Sequence, residues 1–291
     1  MFSIIIHLYN KADYIAETLK SVLNQTYCDY EVIVVNDSST DNSLEVASSF
    51  QDERIQIYTK ENEGVSAARN YGIMHAKYDY IAFLDADDIW ESDYLECQKK
   101  LIGTYPDAGI YSTAFYSLEK GKRKLRNVLI NEHIHFLVHD YFKESVMNGL
   151  SICWTSSLCL KKEVIKEIPM FRVGIKRGED LDLWLRIALN YDVAYLNLPK
   201  VFYRTGLSDS LTSDYSKNGE FPYYEWFNFT SESSYYRKYV ILVVYIHAKN
   251  AFIHHDYDTC LAELWSVKTI AWRFKWAERL LLLVISWIKS K

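Results

Sequence analysis

The hydrophobic pattern along the first ninety or so residues switches between two periods. Short apolar runs at 2–8, 31–35, 55–58 and 80–84 read as buried strands. Between them, apolar residues recur at helical spacing, with Ile15, Leu19, Val22 and Leu23 on one face. Ser43 to Phe50 follows a cluster of helix-capping side chains, and a third helix is expected near Ser66 to His75, after the Glu63-Gly64-Val65 turn. The alternation β-α-β-α-β-α-β predicts an α/β fold with a mainly parallel sheet and helices on both faces. Downstream, the pattern predicts a helix over Trp90–Tyr105, a strand over Gly109–Tyr116, a strand over Ser151–Lys162 and a helix beginning at Lys161–Ile165. Leu181, Trp184, Leu185 and Ala188 share a face, so another helix starts near Glu179. Ser117 to Gly149 follows neither period. After an irregular, aromatic-bearing linker at 213–234, helices are expected at about 233–254, 257–274 and 276–289.

Composition narrows the class. With 291 residues and 49% hydrophobic content the chain can bury a substantial core, and ten Gly and four Pro leave little for long linkers. Five scattered cysteines lack metal-ligand spacing and suit unpaired core thiols in a reducing compartment. The amino terminus has no basic region and no small-residue cleavage site, so a cytoplasmic location is expected. The net charge of −5 hides an asymmetry: residues 235–291 hold nine Lys/Arg against four Asp/Glu, a charge of +5, and the first 234 residues carry −10. An acidic body argues against general nucleic-acid binding, and a basic tail argues for contact with an anionic surface.

The tail holds two intensely apolar runs, Val240–Ile246 and Leu280–Ile285, interrupted by Lys249 and Arg279 before the roughly 20 residues a membrane span needs. Trp272, Trp276 and Trp287 beside Arg273, Lys275, Arg279, Lys289 and Lys291 fit a helix lying in a membrane interface. The alternative is a helical bundle packed on the body.

Two strands end in acids. Tyr80–Leu84 closes on Asp85-Ala86-Asp87-Asp88, and Glu31–Val35 closes on Asn36-Asp37-Ser38-Ser39-Thr40-Asp41. Carboxylates are not buried unpaired, so these must meet water, a cation or donors. At the carboxyl ends of parallel strands, where ligands bind in such sheets, hard oxygen ligands suit Mg²⁺ or Mn²⁺ carrying a phosphate. A solvated acidic turn is the plainer reading of either cluster alone. His133, His135 and His139 have mixed spacing and read as solvated loop histidines.

Five segments occur in an order that resembles the family 2 glycosyltransferases. They are Ser3–Lys11, Ser21–Tyr27, Val34–Asp41, Asn62–Asn70 and Phe83–Asp88, and the resemblance runs over roughly residues 2 to 212. It implies a GT-A fold, with a donor half at about 1–105, an acceptor half at about 106–212 and a C-terminal helical region at 213–291. It also implies an inverting, metal-dependent transfer of a hexose or N-acetylhexosamine from a UDP-sugar to a glycan, plausibly lipid-linked. Such a chain would sit at the inner membrane face in bacterial surface-polysaccharide assembly. By motif position, Tyr9 would flank the uracil, Asp37 would accept from its N–H, Asp85 would bind the ribose side, and Asp87 would hold Mn²⁺ or Mg²⁺.

Two departures stand out: Asn36 replaces the first of a usual aspartate pair, and Ser38 replaces a usual glycine. His7, where Pro or Thr is commoner, either meets the nucleotide or fills the strand end. Tyr9 as a core aromatic, Asp37 as the cap of the next helix and Arg69 as an exposed helix arginine remain alternatives to nucleotide contact. Within Glu179-Asp180 the resemblance places the general base, Asp180 first and Glu179 second; the structural alternative is acids complementing a helix dipole. Asp182 and Trp184 would support the helix and the sugar pocket. Arg204, in Tyr203-Arg204, is divided between a phosphate role and a salt bridge. Two other functions remain: a nucleotidyltransferase, or an inactive sugar- or nucleotide-binding subunit.

Overall fold

The structure, a computed structural model, describes residues 1–175, 177–207, 226 and 230–266. Ten strands form one mixed sheet in the order β3-β2-β1-β4-β9-β6-β10-β5, with β7 beside β6 and β8 beside β10. The strands are β1 (Phe2–Leu8), β2 (Tyr30–Asn36), β3 (Ile55–Thr59), β4 (Tyr80–Phe83), β5 (Ile89–Trp90), β6 (Ile110–Glu119), β7 (Lys122–Arg126), β8 (His135–Val138), β9 (Leu158–Lys161) and β10 (Val193–Arg204). Strands β3, β2, β1 and β4 run parallel, so their carboxyl ends share one edge. β1 and β2 are buried along nearly their whole length, which is why they read as continuous apolar runs rather than alternating ones.

The helices are α1 (Ile15–Leu23), α2 (Ser43–Ser48), α3 (Val65–His75), α4 (Tyr94–Thr104), α5 (Tyr141–Asn148), α6 (Lys162–Glu167), α7 (Glu179–Ala188), α8 (Tyr236–Ile253) and α9 (Tyr257–Ser266). Helix α1 buries Ile15, Leu19 and Val22, as its spacing predicts, and also Thr18 and Ser21, and Gln25 just beyond its end is buried too. Those polar groups brace the segment after β4. Thr18 Oγ1 lies 2.9 and 2.8 Å from the carbonyl oxygens of Ala86 and Asp88, the Trp90 N–H donates to Ser21 Oγ, and Gln25 Nε2 donates to Glu91 O. Helix α3 sits close on β1: a methyl group at Gly72 would meet Ile5 Cγ2 at 2.6 Å.

Three departures from the expected elements have physical reasons. Trp90 belongs to β5 rather than to a helix, because Ile89 and Trp90 pair with Phe202 and Val201 of β10, a long-range contact without local signal. The run from Ser151 is a strand only from Leu158, preceded by a 3-10 turn at Thr155–Ser157. The stretch without a period contains β7, exposed at every residue, then β8 and α5. The run Val240–Ile246 lies in α8, where Val240, Val243 and Val244 are buried in one core with Tyr141, Phe142 and Trp184. Packing on the body thus accounts for this run, and among the described residues no helix is long and apolar enough to cross a membrane. Residues 272–291, the expected interfacial helix, and most of the linker lie outside the described residues.

Candidate functional site

The carboxyl ends of β1, β2 and β4 meet at one edge. The turns after β1 and β2 interlock: the Thr40 N–H donates to Asn10 Oδ1, the Asn10 N–H to Ser39 Oγ and the Lys11 N–H to Ser43 Oγ. Both turns pass through left-handed backbone, at Asn10 (φ 51°) and Ser38 (φ 55°). Serine holds the conformation that a glycine adopts without steric cost, and its hydroxyl donates to Lys60 O at 2.7 Å. Asn36 is buried, and its Oδ1 accepts the Ser39 N–H, so the amide braces the turn beside Asp37 without adding a charge. Tyr9, at the tip of β1, is 37% exposed and is therefore not a core aromatic.

Asp37 is 1% exposed and richly supplied with donors. Lys60 Nζ (3.2 Å) and the Glu63 N–H (3.1 Å) donate to Oδ1, and the Gly64 N–H (2.9 Å) donates to Oδ2. Gly64, at φ 88°, precedes α3, so Asp37 fixes the turn that leads into α3 and does not cap α2, the helix that follows it in sequence. The reason is register: β3 lies parallel to β2 and delivers its outgoing turn to the same edge. Burial alone would raise this carboxyl; His7, the Glu63 amide and Lys60 outweigh it and hold it at about 2. His7 Nε2 lies 3.7 Å from Oδ2, outside hydrogen-bond range, and is itself buried without a partner, so the amides and Lys60 do most of this. Oδ2 accepts one hydrogen bond, from the Gly64 N–H, which is below the acceptor capacity of a carboxylate oxygen.

The β4 end is electrostatically different. Asp87 Oδ2 has one close cation, Lys11 Nζ at 3.0 Å. Burial raises its carboxyl, Lys11 works against that, and Asp85 adds to it. Asp88 is fully buried and raised well above the ordinary value, by burial first and then by Asp87 and Asp85. It accepts from Ser156 Oγ (2.6 Å) and the Arg204 N–H (3.0 Å), so it pins the loop to the 3-10 turn and to β10. Among the described residues no three His, Cys, Asp or Glu side chains are arranged to hold a metal ion.

Arg69 is not an exposed helix arginine; it is 5% exposed and bridges the two halves of the site. Its Nη2 lies 2.8 Å from Asp85 Oδ1 and its Nη1 2.9 Å from Glu179 Oε1. Glu179 and Asp180 open α7, as the spacing predicts, after Gly178 in left-handed backbone. Burial first, and the adjacent Asp180 next, push Glu179 up to about 7 against the pull of Arg69. Asp180, also raised by burial, accepts from Thr155 Oγ1 at 3.0 Å and is partly exposed. Asp182 and Trp184 are buried beneath the start of α7, as supports of the helix. Asp182 is fully buried against Arg186 Nε (2.9 Å) and Trp226 Nε1 (2.8 Å), and Trp184 packs on Phe83 and Phe171.

Arg204 makes a salt bridge, one of its two expected roles, with Glu17, and its Nη1 also donates to the Asp87 carbonyl at 2.6 Å. The histidines of the unreadable stretch share no centre: His139 pairs with Asp192 and His135 with Tyr105. All five cysteines are free. Sequence reading missed four supports of this edge: Lys11, Lys60, Thr155 and Ser156. Each is a single polar residue whose partner is remote in sequence, so no local pattern marks it.

The family profile described as Glycosyl transferase family 2 matches residues 3–168. The putative teichuronic acid biosynthesis glycosyltransferase TuaG of Bacillus subtilis is 31% identical over 198 residues, covering 67% of this chain and 75% of TuaG. The glycosyltransferase GlyA of Streptococcus pneumoniae is 31% identical over 212 residues, covering 69% of this chain. The chain spans 30% of the length of GlyA and of an uncharacterised glycosyltransferase of Rickettsia felis. Among solved structures, Staphylococcus aureus TarS 1–349 superposes with a TM-score of 0.68 at 17% identity, over 92% of this chain and 81% of that one. The sheet order, the acidic edge and the match over more than half the length agree: the chain has a GT-A-like fold and belongs to glycosyl transferase family 2.

Proposed function

We propose that this chain transfers a hexose or N-acetylhexosamine from a UDP-sugar to a glycan acceptor, lipid-linked, with inversion at the anomeric carbon. The observation that carries the reading is the Arg69 bridge, which sets the acidic end of β4 beside Glu179-Asp180 on one guanidinium. Such an edge has a nucleotide side and a base side within one side chain of each other. TarS has been crystallised with UDP and with UDP-GlcNAc, which supports a UDP-sugar here. The reading divides the chain into a donor half (1–105), an acceptor half (106–212) and a C-terminal region (213–291).

The exposed ring of Tyr9 flanks the uracil, and Asp37 accepts its imide N–H. Asp85 meets the ribose side, steadied by Arg69. Asp87 fits a divalent cation: it is a mostly buried carboxylate that already attracts an ammonium. Mg²⁺ is usually held by one or two carboxylates plus substrate phosphates, so no three-residue cluster is required. Bound there, Mg²⁺ or Mn²⁺ would neutralise charge on the departing diphosphate. Asp180, held by Thr155 and partly open, takes the proton of the acceptor hydroxyl as that oxygen attacks the anomeric carbon. The bond to the diphosphate breaks with its electron pair, and UDP leaves. Glu179, fixed by Arg69, sets the field around Asp180 and is the second choice as base.

The test is UDP release from a panel of UDP-sugars with Mn²⁺, with and without chelator, for wild type and Asp87→Asn. Release from one donor, lost with chelator and in the variant, supports the reading. No UDP binding by calorimetry with metal present would remove it. A lipid-linked acceptor brings the chain to the inner membrane face; flotation with anionic liposomes that is unchanged by deleting residues 272–291 would remove the tail from that role.

A further inference from the structure

The acidic edge is provided with cations from within the chain. Lys11 Nζ lies 3.0 Å from Asp87 Oδ2, and the two side chains are only 13% and 14% exposed. Arg69 is engaged by Asp85 and Glu179, and Asp88 by the Ser156 hydroxyl and the Arg204 amide. Arg204 Nη1 donates to the Asp87 carbonyl at 2.6 Å, and the Arg204 guanidinium and the Lys11 ammonium lie 5.4 and 5.8 Å from the centre of the same Tyr14 ring. A free divalent ion approaching Asp87 must displace an ammonium already in place, and it finds no ready three-ligand group among the described residues. Its net gain in such a site is small.

A diphosphate changes that balance. Its oxygens complete the coordination of the ion, and they give the displaced ammonium a new anionic partner within reach of a four-carbon stem. The Lys11 main chain does not have to move, because its N–H is held by Ser43 Oγ at 2.6 Å beside the left-handed Asn10. We propose that Lys11 is a resident counter-ion of Asp87 that makes metal and nucleoside diphosphate bind together. The ion enters with the diphosphate, and Lys11 turns from Asp87 to a phosphate oxygen. This rests on the donor-site reading above.

The test compares wild type, Lys11→Met and Lys11→Arg with two separate ligands. Free Mn²⁺ is followed by electron paramagnetic resonance without nucleotide, and UDP by calorimetry in chelator. Removing the ammonium unblocks Asp87 and deletes a phosphate contact, so Lys11→Met should bind Mn²⁺ alone about tenfold more tightly and UDP without metal about tenfold more weakly, the scale of one charge-assisted hydrogen bond. Lys11→Arg, which keeps the charge, should restore wild-type behaviour in both. A residue that merely braced the fold would weaken both ligands together, and that outcome overturns the proposal, as does unchanged Mn²⁺ affinity. A wild type that fails to bind UDP with Mn²⁺ removes the donor reading and this inference together. Wild-type binding without the opposed shifts removes this inference alone.

Discussion

The ends of β2 and β4 carry comparable acidic sequences on one edge of the sheet, and the fold gives them opposite electrostatic states. Asp37 meets two main-chain amides and an ammonium and is held at about 2. Asp87 and Asp88, equally acidic in sequence, are raised by burial first and then by neighbouring carboxylates, Asp85 beside Asp87 and both Asp87 and Asp85 beside Asp88. The difference arises from what the neighbouring strand delivers. Beside β2, the outgoing turn of β3 points N–H groups at Asp37; beside β4, β9 runs antiparallel and its neighbouring 3-10 turn offers mainly Ser156. A carboxylate whose charge is fully met inside the protein is suited to accept one more hydrogen bond. A carboxylate met chiefly by one side-chain ammonium, as Asp87 is by Lys11, is suited to exchange that partner for another cation.

The sharpest way to break this comparison is to neutralise each end and the base in turn. Asp180→Asn should lower kcat by about 10²–10⁴ with UDP affinity nearly unchanged, as for loss of a general base. Asp87→Asn should lower UDP-sugar turnover by about 10²–10³, the scale for a lost group that stabilises developing charge. Both are read from UDP release at saturating donor. Replacing Arg69 with Met leaves Asp85 and Glu179 without their cation and should cost about 3–5 kcal/mol in a denaturant titration, as for a broken buried pair. Equal stability in that variant would mean the bridge does not hold the halves together.

Acid and base limbs test the same contrast. Asp37 has a folded value of about 2 against an ordinary 3.8, so its stabilisation, about 2 kcal/mol, is present above pH 4 and is lost as pH falls through 2. Glu179 has the opposite sign: raised from 4.5 to about 7, its contribution is fully present below pH 4.5 and is lost as pH rises through 7. The Glu179–Asp180 pair should therefore place the acid limb of kcat/KM near neutrality, and Asp37→Asn should leave that limb in place while removing the stability loss below pH 4. The smallest effect expected is for Ser38→Gly, which relieves left-handed strain but deletes the bond to Lys60 O. A gain of up to about 1 kcal/mol in thermal unfolding checks it.

Much of this edge was legible because the parallel strands are buried on both faces, so their apolar runs stand out against the polar turns. The apolar runs placed Asp37, Asp85 and Asp87 at strand ends, and the helical spacing of Leu181, Trp184, Leu185 and Ala188 placed Glu179 at a helix start, where the structure has them. The rest depended on pairings between remote positions. Arg69 sits on a helix of mixed polarity, and its partner Glu179 is 110 residues away, so nothing nearby signals burial. Trp90 looks helical until Val201 and Phe202 arrive beside it. Strand β7, Lys-Arg-Lys-Leu-Arg, has no buried face to alternate against. The left-handed turn at Ser38 was hidden because the residue that usually marks it is absent.

The Arg69 bridge also limits how this enzyme can be recombined. A chimera that joins residues 1–105 to the later part of a relative brings Arg69 from one parent and the start of α7 from the other. If the second parent lacks an acid at the position of Glu179, Arg69 keeps Asp85 but loses the partner of its other amino group inside the buried centre of the graft, however well the surfaces fit. Such crossovers should be chosen by that one pair first, and by overall identity second.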